Sequence, residues 1–155
     1  MKRIVATVFS FIERCRRRRD HTSILVEDVT VAERLIVKLI QEKHFEGELS
    51  SLASKGKVAR SSAIVKLDPF LDESGVMRVG GRLKRSILPK ELTHPIILPK
   101  KEVVVKRMIE WHHRRVKHVG RTMTLNELCE NGYWLINGNA QVRQVVDNCV
   151  PCKVF

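Results

Sequence analysis

The chain has 155 residues, 43% of them apolar, and a formal charge of +12 from 29 Lys and Arg against 17 Asp and Glu. That length suits one domain, or one with a smaller lead-in, and the apolar share is enough to bury a core. The basic excess points to polyanions, nucleic acid first, and the apolar run at residues 4–12 is far short of the roughly 20 residues a membrane helix needs, so no membrane span is expected.

In chain order, Val5, Val8, Phe9 and Ile12 recur at helical spacing, predicting a short amphipathic helix over residues 3–17 that runs into the basic tail RCRRRR. Residues 1–25 form a basic N-terminal segment whose charge run is either a nucleic-acid patch or a solvated face. A second helix is predicted from Thr30, where Thr30 and Glu33 have capping-box spacing, with Ala32, Leu35, Ile36, Leu39 and Ile40 as its apolar stripe. Phe45 is expected to close its core contact before Gly47 loosens the chain, and residues 50–62, rich in Ser and Lys, read as a flexible connection. From Ala63 the pattern turns to β. Ile64, Val65 and Leu67 lead to Pro69, residues 72–75 supply a turn, and Val76 to Val79 are expected to pair with Arg82 and Leu83 across the Gly80-Gly81 dipeptide. Ile96 to Leu98, between Pro95 and Pro99, read as an edge strand. Residues 26–99 are thus a helical and β-hairpin lead-in.

Residues 100–155 carry the chemistry. Val105, Met108, Ile109 and Val116 line one side of a predicted helix, with Lys101, Lys106, Arg107, Arg114, Arg115 and Lys117 elsewhere on it. Thr124 and Glu127 form a second capping box, Met123 is placed to staple onto Leu128, and Cys129 is expected in the core. Tyr133 and Trp134 are expected to wedge between helices. Asn137 or Asn139 can cap a last helix on which Val142, Val145, Val146 and Cys149 share a face.

Two spacings in this part have metal-ligand form: a histidine pair ending at His118, and Cys149-x-x-Cys152. His113 lies five positions before His118, with four residues between; His112, with five between, also fits, so spacing prefers His113 without deciding. One zinc ion is the expected cofactor, in a structural role. On a regular helix, His113 and His118 would point about 140° apart, so the helix must end between them, where Gly120 permits a turn. Pro151 should break the last helix near Val150 and help both sulfurs converge. Cys15 and Cys129 stand alone, so two disulfides are not expected, and a reducing intracellular setting, nucleus or cytoplasm, fits the cysteine usage.

The run HHRRVKHVGRTMTLNEL, followed by GYW, VRQVV and CVPC, resembles the zinc-binding N-terminal domain of retroelement integrases, particularly those of BEL/Pao retrotransposons. LDPFLDESGVMRVGGRL and HPIILPK resemble the lead-in of the same polyproteins, and the similarity covers roughly residues 26–155. The resemblance implies an α+β chain in which a zinc-stabilised three-helix bundle of the HHCC type follows helices and a small hairpin subdomain. It implies His113, His118, Cys149 and Cys152 as the four zinc ligands, which selects His113 over His112. Cys129 and Asn139 stand where arginine is expected in relatives. The implied function is a structural-zinc module that binds DNA and supports self-association or assembly with other integrase domains. Its candidate phosphate contacts are Lys100, Lys101, Lys106, Arg107, Arg114, Arg115, Lys117 and Arg121. The RNase H-like catalytic core of such proteins has no counterpart in these residues, so neither an enzyme nor a small-molecule substrate is expected. The alternative is a domesticated protein-interaction scaffold with structural zinc and no nucleic-acid role.

Overall fold

The computed structural model of the protein describes residues 26–81 and 90–153, so the helix predicted over 3–17, the RCRRRR tail, and the Arg82–Leu83 hairpin arm lie outside the described residues. The chain divides between Leu39 and Ile40 into two compact units. The first contributes the opening residues of helix α1 (Val26–Lys55), in which Ala32 and Val37 are buried. The helix is already formed at Val26, so Thr30 is an interior residue and not the cap predicted for it. The expected stripe is also rotated: Ala32 and Ile40 are buried, but Leu39 is 64% exposed and Leu35 is exposed too.

From Ile40 onward the second unit takes shape. Its part of α1 buries Ile40, Gln41, Phe45 and Leu52, one of them polar, which is why an apolar pattern misplaces the face. The helix does not stop at Gly47. It kinks at Phe45, whose φ of −133° is non-helical, and continues to Lys55, taking in residues 50–55 of the predicted connection. Phe45, Leu52, Ile64, Met77 and Ile97 form a core, with Leu49, Val58, Leu67, Leu71, Val79 and Ile136 packed around it.

Residues 65–67, predicted as strand, make a 3-10 turn that ends in left-handed Asp68. Strands β1 (Phe70–Leu71) and β2 (Met77–Arg78) form the hairpin, antiparallel, around the turn at residues 72–75. Asp72 builds that turn: its Oδ1 accepts from the amides of Ser74 and Val76, and its Oδ2 from Arg78 Nε at 2.6 Å. The turn between β1 and β2 is therefore residues 72–75. Gly80 serves a close approach, since a Cβ there would collide with the Asp68 carbonyl oxygen.

After the short helix α2 (Lys90–Thr93), strand β3 (Ile96–Leu98) pairs antiparallel with β2 and parallel with β4 (Tyr133–Leu135), giving the order β1-β2-β3-β4. The predicted strand exists but is interior, not an edge. Its prolines are tolerated because each offers only its carbonyl to a neighbour: Pro95 O accepts from Val79 N, and Pro99 O from Gln141 Nε2. The sheet is short of ladder bonds between β2 and β3, where the register gives only Arg78 opposite Ile96. Gln41 fills the gap. Its Nε2 donates to the carbonyls of Met77 and Ile97, and its Oε1 accepts from the Met77 amide, all at 2.8 Å. Three bonds satisfy a fully buried amide and tie α1 to two strands.

The remaining helices α3 (Val103–Arg115), α4 (Arg121–Glu130) and α5 (Gly138–Asp147) pack pairwise, and a final turn α6 (Val150–Lys153) follows α5. Val105, Ile109, Leu128, Val142 and Val145 are their buried aliphatic residues. The chain is thus α+β, with a three-helix bundle joined through β4 to the sheet. Glu102 caps α3 by accepting from the Val103 amide, and the same carboxylate receives Lys43 Nζ at 3.0 Å and His44 Nε2 at 2.8 Å. These partners, His44 foremost, hold its carboxyl well below the usual range, at about 2. Residues 40–99 and 100–153 therefore share a sheet and a capping residue.

Candidate metal centre

Three features of local chain geometry bring four ligands to one point. The first is the end of α3. His118 N donates to His113 O and Lys117 N to Arg114 O, the paired bonds of a Schellman closure. Lys117 and His118 adopt positive φ of 53° and 63°. Left-handed backbone costs a non-glycine residue about 1 kcal/mol or more, so the surroundings must hold these two in place. The turn expected between the histidines is present, but Lys117 and His118 make it, and Gly120 (φ 95°) comes after it.

The second feature is Thr124. It was expected to cap α4, but that helix begins at Arg121, and Thr124 sits fully buried one turn inside it. Its hydroxyl donates to Gly120 O at 2.8 Å, which leaves the oxygen to accept from His113 Nδ1 at 3.0 Å. A proton on Nδ1 makes Nε2 the lone-pair nitrogen, the atom that ligates a metal. Met123, near the start of the same helix and expected to staple onto Leu128, is 49% exposed.

The third feature is the end of α5. The helix stops at Asp147, and Cys149 N donates to Val146 O as the chain turns. Pro151 then falls in the first turn of α6, where its missing N–H costs no hydrogen bond. Both sulfurs face the histidines.

The result is a closed set: donor atoms of His113, His118, Cys149 and Cys152 all lie within 4.8 Å of one another. His118 Nδ1 is 3.0 Å from His113 Nε2 and 3.2 Å from Cys149 Sγ, and His113 Nε2 is 3.2 Å from Cys152 Sγ. Zinc bonds of about 2.0–2.1 Å to nitrogen and 2.3 Å to sulfur give tetrahedral edges of about 3.3–3.8 Å. The donors sit close to those edges. Lone pairs aimed at one point repel unless a cation lies between them, and two nitrogens with two sulfurs are a donor set that suits zinc. Burial first, and His118 second, lower the His113 pKa, favouring the neutral imidazole that ligation needs. Burial and the neighbouring Cys149 raise that of the Cys152 thiol, a penalty a dication would relieve. Cys129, Cys149 and Cys152 are free of disulfides.

The rival histidine is placed elsewhere. His112 is buried against Trp111 and Tyr133, with Nδ1 3.7 Å from Glu127 Oε1. Cys129 is exposed, contrary to its expected core position, although the adjoining Leu128 is fully buried. Tyr133 and Trp134 are strand residues, not wedges, so they alternate: Tyr133 is buried and Trp134 exposed. Asn137 does precede the last helix, but in a left-handed conformation with no side-chain cap bond. Thr124 was visible in the sequence only as a helix-start signal; nothing in its spacing marked a partner for His113.

All eight basic candidates are exposed. Arg107 pairs with Glu110, Arg115 with Glu127, and Arg121 with Asp147, while Arg114 Nε donates to the Glu110 carbonyl. Among the described residues, Lys100, Lys101, Lys106 and Lys117 have no carboxylate within ion-pair reach. No helix of the described residues is long and apolar enough to cross a membrane.

Residues 101–155 match the family described as the integrase zinc binding domain. No curated protein and no solved structure matches the chain. The match and the donor cluster agree on one structural zinc held by His113, His118, Cys149 and Cys152, in a zinc module of the integrase type.

Proposed function

We propose that this zinc module belongs to a retrotransposon integrase of the BEL/Pao type, that it is non-catalytic, and that it binds DNA and supports integrase assembly. The observation that carries the reading is the closed donor set inside the matched residues. Four protein ligands leave no open position for a water or substrate, which a hydrolytic zinc requires, so the ion serves as a fastener. A small bundle with few buried aliphatic residues gains most from such a fastener.

DNA binding rests on charge. The four lysines without carboxylate partners flank and line α3, a helix of about 20 Å at 1.5 Å per residue. Four phosphate contacts give log K against log salt a slope of about −4, from 0.9 counterions per contact. The test is a salt titration of a short duplex with zinc-loaded protein; a flat line would remove DNA from the account.

A protein-interaction scaffold is the second reading, favoured by Val119 and Val150, which are exposed beside the ligands. Light scattering separates the two: oligomers formed without DNA, together with no DNA shift, support the scaffold.

A further inference from the structure

We infer that Trp111 is a stacking platform for an unpaired base, which directs the basic face of α3 to single-stranded or frayed nucleic acid over intact duplex. This inference rests on the nucleic-acid reading above and narrows it.

Trp111 lies in the middle of α3 and is 52% exposed, although its neighbours on the buried side, His112 and His113, are almost fully covered. A large aromatic ring left in solvent on a well-packed helix has no role in that helix's own core. Its setting is cationic. Arg107 stands one turn before it, and Arg114 and Arg115 one turn after, at spacings that place all four side chains as neighbours on the helix surface. The Arg115 guanidinium lies over the indole at 5.3 Å from the ring centroid, and Glu127 holds that arginine at 3.0 Å. His112 meets the same ring edge-on, with centroids 4.8 Å apart. The indole is therefore braced from two sides while half its surface remains open, and bracing lowers the entropy lost when a ligand stacks on it.

The face is not uniformly positive. Glu110 pairs with Arg107, and Glu127 with Arg115. Arg114, which pairs with no carboxylate side chain among the described residues, supplies the net charge beside the ring. An acidic protein segment would use the cations but leave the ring unmatched. An intact duplex would do the same, because its base faces are already stacked on one another and only its phosphates are presented. A single strand offers both parts at once: phosphates for the cations and a free π-face for the indole.

The chain has two tryptophans, Trp111 and Trp134, so fluorescence can isolate the first. In the full-length zinc-loaded protein carrying Trp134→Phe, titration with a twelve-nucleotide oligothymidylate should quench the remaining emission saturably. In the otherwise wild-type chain, Trp111→Leu should weaken that oligonucleotide about tenfold while a duplex of equal length shifts less than about twofold. Trp111→Phe, which keeps a π-face, should recover most of the loss, and unchanged zinc content shows that the variants are folded. Single-strand affinity unaffected by Trp111→Leu, or emission unchanged at saturation, would overturn the platform while leaving duplex binding standing. So would loss of self-association in Trp111→Leu with strand affinity intact, which assigns the ring to a second copy. If wild-type protein binds neither oligonucleotide at low salt, the nucleic-acid reading itself fails, and the platform with it.

Discussion

Residues 40–98 and residues 103–153 share one sheet but are held together by different means. The first part has a core of large side chains, Phe45, Leu52, Ile64, Met77 and Ile97, closed by a buried glutamine that bonds two strands. The second has three short helices, smaller buried residues, two left-handed non-glycine residues in succession, and four metal donors facing one another. One part can hold its shape by burial and hydrogen bonding. The other contains left-handed backbone and facing donor lone pairs that a bound cation would balance. Comparing the two teaches that the match to a known zinc domain, residues 101–155, ends inside a sheet whose other strands come from the unmatched lead-in.

The largest expected effect breaks the metal side. Structural zinc contributes about 10–16 kcal/mol in small zinc domains at neutral pH, comparable to or above the total stability of a typical domain. Cys149→Ser should therefore abolish amide protection in α3, α4 and α5 while α1 from Phe45 onward and the β1–β2 hairpin keep theirs, as read by hydrogen exchange. Equal loss across both parts would erase the distinction.

Acid should act in the same direction. His113 titrates below its usual value of 6.5, so the unfolded chain takes up the proton more readily than the folded one. Stability present above about pH 6.5 should fall as pH drops through that range, reinforced by protons competing for the thiolates. The check is a pH series of thermal melts with zinc in excess; melting that rises on acidification contradicts the account.

The sheet side has its own break point. Gln41→Leu removes three buried hydrogen bonds and strands one amide and two carbonyls, a cost of about 3 kcal/mol or more. Urea unfolding should show that loss with little change in zinc affinity.

The smallest effect falls on the partner of His113. Thr124→Val keeps the shape but leaves Nδ1 without its acceptor, and loss of such an outer partner weakens metal binding about 10–100-fold. A chelator competition assay measures it, and an unchanged affinity would show that Thr124 does not set the tautomer.

How much of this was legible in the sequence differs between the same two parts. The ligand pairs were readable because a metal dictates spacing, and the need for a turn between His113 and His118 followed from helical pitch. The amphipathic faces of α3 and α5 were readable because Val105, Ile109, Val142 and Val145 are apolar and periodic. Gln41 was not, because a polar residue on a buried face breaks the pattern that locates the face. Leu35 and Leu39 fitted that pattern and are exposed. Threonine at 30 and at 124 matched a capping box but lies inside a helix at both positions, since hydroxyls also bond the preceding turn. The strand at Ile96 was found, but its two partners, one from more than thirty residues downstream, depend on tertiary pairing that no local signal encodes.

The central claim is that His113, His118, Cys149 and Cys152 hold one zinc ion that organises residues 103–153. Cobalt substitution tests it most directly, because cobalt reports ligand geometry through its visible spectrum. The account predicts one equivalent bound with the intense bands of a tetrahedral site and sulfur-to-metal charge transfer, both lost in Cys149→Ser and displaced by one equivalent of zinc. A weak octahedral spectrum, a stoichiometry other than one, or bands that survive Cys149→Ser would contradict it.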